Sequence, residues 1–314
     1  MERIRSFDAI KLLAIILVLY GHCCQHLCPG IASENYAYLI IYSFHMPLFM
    51  MVSGYFSHSA MSLSVSQFII KKARQLLLPC LTWGGVIIVT RILIDEQFSV
   101  YTIVRDDLWF LKSLFLCMLL TYIAMSCNKR YRPVVLPLLV ILTQVSLFRM
   151  KDMFVPFLFG YYLRNLWDYV DRFRSVLFCD FVLLFVVLGI VYINPTFFEV
   201  QRDSVWGYII KQLSVLVIGI SGSMAVILMM SSLSNRIPQR ICNLGKYTLG
   251  IYLIQSVLLE TIISHFISSI EMNRIFVYMA IFPIICLMII SLSVYIVRII
   301  ELNRILALLM FGKK

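Results

Sequence analysis

Apolar runs long enough to cross a bilayer follow one another along nearly the whole chain, and they leave few architectures open. Ten can be marked, at about 9–27, 36–56, 75–94, 108–126, 133–148, 153–167, 175–193, 206–233, 244–268 and 274–297. The fifth and sixth are short, and only Arg149-Met150-Lys151-Asp152 parts them, so they read as a tight hairpin or a partly re-entrant pair. Of 314 residues, 61% are hydrophobic and 14% charged, with a mean hydropathy of +0.91. A soluble domain is nearer a quarter charged. With no polar linker or composition shift, the expectation is an all-α fold: a polytopic transmembrane helix bundle of about ten helices. It forms a single integral membrane domain over residues 1–314 with no fused soluble domain. The first run carries Lys11 and His22 and no small-residue cleavage pattern follows, so it does not read as a removable signal.

The net charge of +11 would suit a nucleic-acid binder, but its distribution points to membrane orientation instead. Basic residues cluster on alternate loops: Arg3 and Arg5, then Lys71, Lys72 and Arg74, then Lys129, Arg130 and Arg132, then Arg164, Arg172 and Arg174, then Arg236, Arg240 and Lys246, then Arg298, Arg304, Lys313 and Lys314. The intervening loops hold a thinner scatter of Arg91, Arg105, Arg149, Lys151, Arg202 and Arg274. The positive-inside rule puts both termini in the cytoplasm, which an even number of crossings satisfies. The nine cysteines are scattered, mostly inside apolar runs, and suggest no disulfide framework.

Ionisable side chains inside such runs are costly, about 2.5–3.5 kcal/mol at the bilayer centre, and usually face a bundle interior or a wet cavity. Lys11 and His22 stand eleven residues apart in the first run. At 100° per residue that is three turns plus about 20°, so they share one stripe, roughly 16 Å apart along the axis. Lys11 falls near the inner end and His22 near the outer. In the second run, Phe44-His45-Met46-Pro47-Leu48-Phe49 places a histidine beside a helix-kinking proline. His45 reads either as a packed residue bonded to a neighbouring carbonyl or, at membrane depth, as a functional group; the membrane setting favours the latter. Ser53-Gly54 reads as a small pair for close helix packing rather than as a nucleophile. His22 and His26 share a face, but Cys24 and Cys28 point away from it, so no metal site is expected. His58 and His265, near helix ends, read as solvated.

These residues, in this order, resemble the membrane-bound acyltransferase-3 family, in particular its sugar O-acetyltransferases of the fucose 4-O-acetylase-like branch. The resemblance rests on Asp8, Lys11 and His22 in the first helix and on Phe44-His45-Met46-Pro47-Leu48-Phe49 with Ser53-Gly54-Tyr55 in the second. Weaker echoes are Lys71-Lys72 with Arg74 and Pro79, Leu108-Trp109-Phe110-Leu111, and Leu244 through Leu253. Many members have arginine at the place of Lys11 and histidine at that of Gln255. Lysine keeps the charge but loses the planar fork.

The resemblance implies an integral membrane O-acyltransferase in the cell's inner (plasma) membrane. It would pass an acyl group, acetyl above all, from cytoplasmic acyl-CoA to a hydroxyl of a cell-surface or lipid-linked glycan. Acyl-CoA is then a co-substrate and no bound cofactor is needed. The partners are acyl-CoA, a glycan or lipid-linked saccharide and the lipid bilayer, with no nucleic acid; a homo-oligomer stays open. His22 is the expected general base and His45 the group that positions the acceptor or polarises the carbonyl. Asp8, Lys11, Lys71, Lys72 and Arg74 are the expected donor-binding residues. Against that, Asp8 reads also as a helix-capping acid, Lys11 as a snorkelling side chain, and the basic loop as a topology signal. Trp109 and Phe110 are the expected acceptor-binding residues, an interfacial aromatic belt being the alternative. The rival function is a polysaccharide or lipid-linked glycan exporter. That would need two access states, and no matching pair of broken segments marks the two halves.

Overall fold

The computed structural model describes residues 5–28, 36–144, 148–193, 204–233, 235–267 and 276–313. Arg3, Arg202, Arg274 and Lys314, used above as charge signals, lie outside them. Among the described residues all regular structure is helical. The principal elements are α1 (Arg5–Leu27), α2 (Tyr36–Tyr55), α3 (Val65–Leu93), α4 (Trp109–Ser126), α5 (Arg132–Leu142), α6 (Met150–Leu163), α7 (Arg174–Ile193), α8 (Val205–Leu233), α9 (Gln239–Phe266), α10 (Val277–Glu301) and α11 (Arg304–Phe311).

Eight of these, all but α5, α6 and α11, are long and apolar enough to cross a membrane. The count is lower than ten because the fifth and sixth apolar segments become short helices of 11 and 14 residues. At 1.5 Å per residue they reach about 16 and 21 Å, short of a hydrocarbon core about 30 Å thick. Phe148 and Arg149, just before α6, both adopt left-handed backbone, at φ 48° and 55°. Bulky residues rarely do so without support. α4 supplies it: Ser113 Oγ donates to Phe148 O, Lys112 Nζ lies 5.3 Å from the Phe148 ring, and the Arg149 guanidinium lies 4.9 Å from the Trp109 ring.

α1 is apolar nearly all round and is accordingly buried on several sides. Ile10, Ile15, Leu19, Cys23 and Leu27 are fully buried. It packs against α2, α8, α9 and α10, which leaves Asp8 buried, Lys11, His22 and His26 half-buried and Gln25 exposed. α7 is the opposite case. Leu183, Val186, Val187 and Ile190 are exposed, an apolar surface suited to lipid.

α2 is fixed from both sides. Against α6 the backbones touch: a Cβ on Gly160 would stand 2.0 Å from Met51 O, and one on Gly54 2.1 Å from Phe157 O. Only glycine permits that approach, as the packing reading of the Ser53-Gly54 pair requires. Against α8, Gly219 closes on Pro47 and Ser43 O, and Ser223 Oγ donates to Phe44 O at 3.2 Å. Neighbouring helices thus cover the backbone around the proline. His58 is not simply solvated. Its Nε2 donates to Tyr161 O at 2.7 Å and its ring stacks on Tyr161 at 4.1 Å, because the α2–α6 contact carries Tyr161 to it. His265 is exposed, as read from its place near a helix end. At the C-terminal end, α11 is held on α3 by Thr82 Oγ1 and Trp83 Nε1, which donate to Leu309 O and Met310 O at 2.8 and 2.9 Å.

Candidate functional site

α9 is irregular at both ends, and both irregularities serve the same region. After one α turn at Gln239–Cys242, Asn243–Tyr247 wind as a tight 3-10 helix. Here Gly245 lies against α1 so closely that a Cβ would stand 2.1 Å from Asp8 O. That contact sets Lys246 beside the inner end of α1. Lys11 Nζ lies 4.6 Å from the Phe56 ring and Lys246 Nζ 4.6 Å from the Tyr247 ring. Arg298 of α10 donates from Nε to Tyr247 Oη at 3.3 Å. Three cations thus gather at one end of the bundle.

A cavity of about 300 Å³ opens there. Lys11, Gly245, Lys246 and Thr248 line it with Val18 of α1, Met46, Phe49 and Ser53 of α2, Leu76 of α3, Phe110, Leu111 and Leu114 of α4, and Tyr252 of α9. Phe110 sits edge-on to Phe49 and Tyr252, each ring 5.7 Å away. The polar groups are concentrated at the lysine end and the walls are mainly apolar.

Val18 is the outermost α1 residue in that lining, and His22 stands one turn beyond it, about 6 Å along the axis. His22 Nδ1 approaches Glu260 Oε1 at 3.3 Å. The alignment falls short of a formal hydrogen bond. Catalytic contacts are often loose before substrate binds. Gln255 Nε2 donates to the same Oε1 at 2.8 Å. On an α-helix, residues five apart diverge by about 140°. The second irregularity of α9 removes that divergence: Leu258–Ile263 is a π-helix, whose wider turn brings positions five apart onto one face. The side chains of His22 and Glu260 keep 21% and 22% of their exposure, so a reactant has access to the pair. His26, one turn along, stacks its ring on His22 at 5.7 Å.

His45 is buried, 3% exposed, with Nδ1 2.8 Å from Ile41 O. A carbonyl only accepts, so Nδ1 carries the proton and Nε2 is left as the acceptor. That carbonyl bond is the one expected of a packed histidine. Tyr42 leans on the His45 ring at 4.7 Å and donates to Gln25 Oε1 at 2.7 Å, which ties α2 to α1 at this level.

Of the sequence-nominated residues, Lys11 and Phe110 meet in the cavity, His22 stands beyond its outer end, and Asp8 is buried at its inner end. Trp109 is outside the lining, beneath Arg149. Lys71 is exposed, Lys72 Nζ donates to Gln75 Oε1 at 3.3 Å, and the Arg74 carbonyl lies close against Gly312; none of the three lines the cavity, although Leu76 of the same segment does. Sequence reasoning missed Glu260 and Lys246. Glu260 carried a usable signal, a carboxylate within the apolar run 244–268. Lys246 was read for its charge and as part of the weak echo from Leu244 to Leu253, not as a site residue.

The comparisons with known proteins agree with the motifs. The acyltransferase-3 family profile, described as an acyltransferase domain, matches residues 4–298. The chain is 34% identical over 139 residues to the nodulation protein NolL of Mesorhizobium japonicum, covering 40% of this chain and 36% of that protein. It is 33% identical over 136 residues to NolL of Sinorhizobium fredii, covering 39% and 37%. The match thus spans little more than a third of these curated relatives. No solved structure matches the chain.

Proposed function

This chain belongs to the acyltransferase-3 family, and from that premise we propose that it transfers an acyl group, acetyl in the first instance, from cytoplasmic acyl-CoA to a hydroxyl of a cell-surface or lipid-linked glycan, in the cell's inner membrane. The observation that carries the reading is a base and its carboxylate partner, His22 and Glu260, one helical turn past an apolar cavity whose other end holds Lys11 and Lys246.

Each part has a role in that reaction. The donor's phosphates are polyanionic and stay at the cytoplasmic end, where Lys11 and Lys246 offer charge and Arg298 adds to the local field. Its slender arm enters between Phe49, Leu111, Leu114 and Tyr252, walls suited to a chain with few charges. A volume of 300 Å³ suits the arm and acyl group, not the nucleotide. The glycan approaches from the opposite side, where the Arg149–Trp109 pair offers a guanidinium and an aromatic face.

The chemistry balances without a further reagent. Glu260 accepts from His22 Nδ1–H, which leaves the Nε2 lone pair to take the proton of the sugar hydroxyl. The hydroxyl oxygen bonds to the thioester carbonyl carbon, the C–S bond breaks, and the imidazolium returns the proton to the departing thiolate. General-base help of this kind gives about 10²–10⁴ in rate. Gln255 cannot relay a proton, but it holds Glu260, so the histidine that many members have at this position is replaced by a positioning group. In this reading His45, its tautomer set by Ile41, has Nε2 as an acceptor for a sugar hydroxyl, a positioning role and not a donor to the carbonyl.

The test is transfer from labelled acetyl-CoA in proteoliposomes containing glycan acceptor. The expected result is label on the glycan with wild-type protein and none with His22→Ala at equal protein level. Glycan flux without label, or full transfer by His22→Ala, would overturn the reading.

A further inference from the structure

His22, His26 and Glu260 do more than form a base and its partner. Their ligand atoms all lie within 4.8 Å of one another, which makes a two-histidine, one-carboxylate set. We infer that this set is a binding site for a divalent transition metal, zinc above all, and that its occupation switches the base off.

Three observations carry the inference. First, His22 Nδ1 and Glu260 Oε1 are 3.3 Å apart. Ligand atoms at about 2.0–2.1 Å from a tetrahedral zinc stand about 3.3–3.4 Å from each other, so this pair already has the spacing of one edge. Second, His22 Nδ1 is buried and has no hydrogen-bond partner, the condition of a lone pair or N–H that another occupant would satisfy. Third, His26 sits one turn further along α1, and a ring nitrogen of it falls within the same 4.8 Å group as the ligand atoms of His22 and Glu260. Two imidazoles and one carboxylate suit zinc, copper or nickel; magnesium and calcium prefer all-oxygen shells. A fourth position stays open for water. Arg149, whose charge bears on His22, acts against the cation and sets a limit on affinity.

The switch follows from the tautomer. In the catalytic arrangement Nδ1 carries the proton and Nε2 accepts. A metal on Nδ1 displaces that proton; a neutral imidazole ligated there keeps its single proton on Nε2, which turns the acceptor into a donor. The same ion sits between Nδ1 and Glu260 and breaks their pairing. This consequence rests on the acyltransfer reading above; the metal site itself does not.

The experiment uses the whole protein in detergent, stripped with EDTA, with ZnCl2 as the probe. Equilibrium dialysis should show one saturable zinc per chain. Affinity should fall at least tenfold in His26→Gln and in Glu260→Gln, and should be unchanged in Cys24→Ser, the control for thiol capture. Zinc should inhibit transfer, EDTA should restore it, and His26→Gln should transfer without zinc while resisting zinc inhibition. Monodisperse elution and an unchanged melting temperature qualify each variant; should His26→Gln fail them, His26→Asn takes its place. Absence of saturable zinc, or binding that ignores both substitutions, overturns the site. Binding without inhibition overturns the switch. Zinc binding by a chain that transfers no acyl group leaves the site standing and overturns the acyltransfer reading instead.

Discussion

Exchanging Glu260 for Gln removes one charge from the site and little else. The side chain keeps its length, and its carbonyl oxygen still accepts from Gln255 Nε2, now at 2.8 Å from the carboxylate. No buried donor is orphaned, so folding should be largely preserved. What is lost is the ionic acceptor 3.3 Å from His22 Nδ1. Hydrogen bonds to charged groups contribute about 1.5–3 kcal/mol, against about 0.5–1.5 for neutral ones. The carboxylate matters most when His22 becomes imidazolium, so the loss should fall on the transition state and appear in kcat. At about 1.4 kcal/mol per decade, the difference of about 1–1.5 kcal/mol between the charged and the neutral bond corresponds to a fall of about 5- to 12-fold. KM for acyl-CoA should hold, because the lysine end of the cavity is untouched. Glu260→Asp keeps the charge but withdraws it, and should fall between wild type and Gln. Glu260→Ala should lose stability as well, by about 1–3 kcal/mol, since Gln255 Nε2 then loses its acceptor. The assay is steady-state transfer from acetyl-CoA in proteoliposomes at matched protein level, with melting temperatures beside it. Wild-type kcat in Glu260→Gln, or a change confined to KM, would refute the argument that Glu260 acts through His22.

Gly245→Ala would set a Cβ 2.1 Å from Asp8 O; overpacking of this kind costs about 1–3 kcal/mol, and an unchanged melting temperature in detergent would show that the inner end yields freely. Lys11→Arg should be milder than Lys11→Ala, and Lys246→Ala should raise KM for acyl-CoA with kcat nearly constant; equal loss in both Lys11 variants would argue against a role for its charge. Leu114→Trp should narrow the 300 Å³ cavity and raise KM for acyl-CoA several-fold in the transfer assay, whereas unchanged kinetics would place the donor elsewhere. Gly160→Ala, with its Cβ 2.0 Å from Met51 O, should lower the yield of folded protein more than Gly189→Ala, whose Cβ meets open space; equal yields would contradict the close α2–α6 contact.

The class of fold was legible in the chain because lipid enforces it: apolar runs of membrane length cannot leave their backbone unpaired, and alternating basic loops orient them. His22 was legible for the same reason, since an imidazole in such a run needs protein or water around it. The helix count was less so: the short fifth and sixth segments have the right composition, but whether they span depends on helix length and on the left-handed turn that α4 supports. Tertiary structure alone decided which groups met. Gln255 and Glu260 share a face only because α9 widens into a π turn, and Lys246 joins Lys11 only because Gly245 lets α9 rest on the backbone of α1. Lys71, Lys72 and Arg74 have the right chemistry for a donor's phosphates, yet α3 holds them off the cavity wall. Periodicity ranks faces within one helix; it carries no information about the partner that a distant segment brings, and here that partner is the Glu260 carboxylate beside His22.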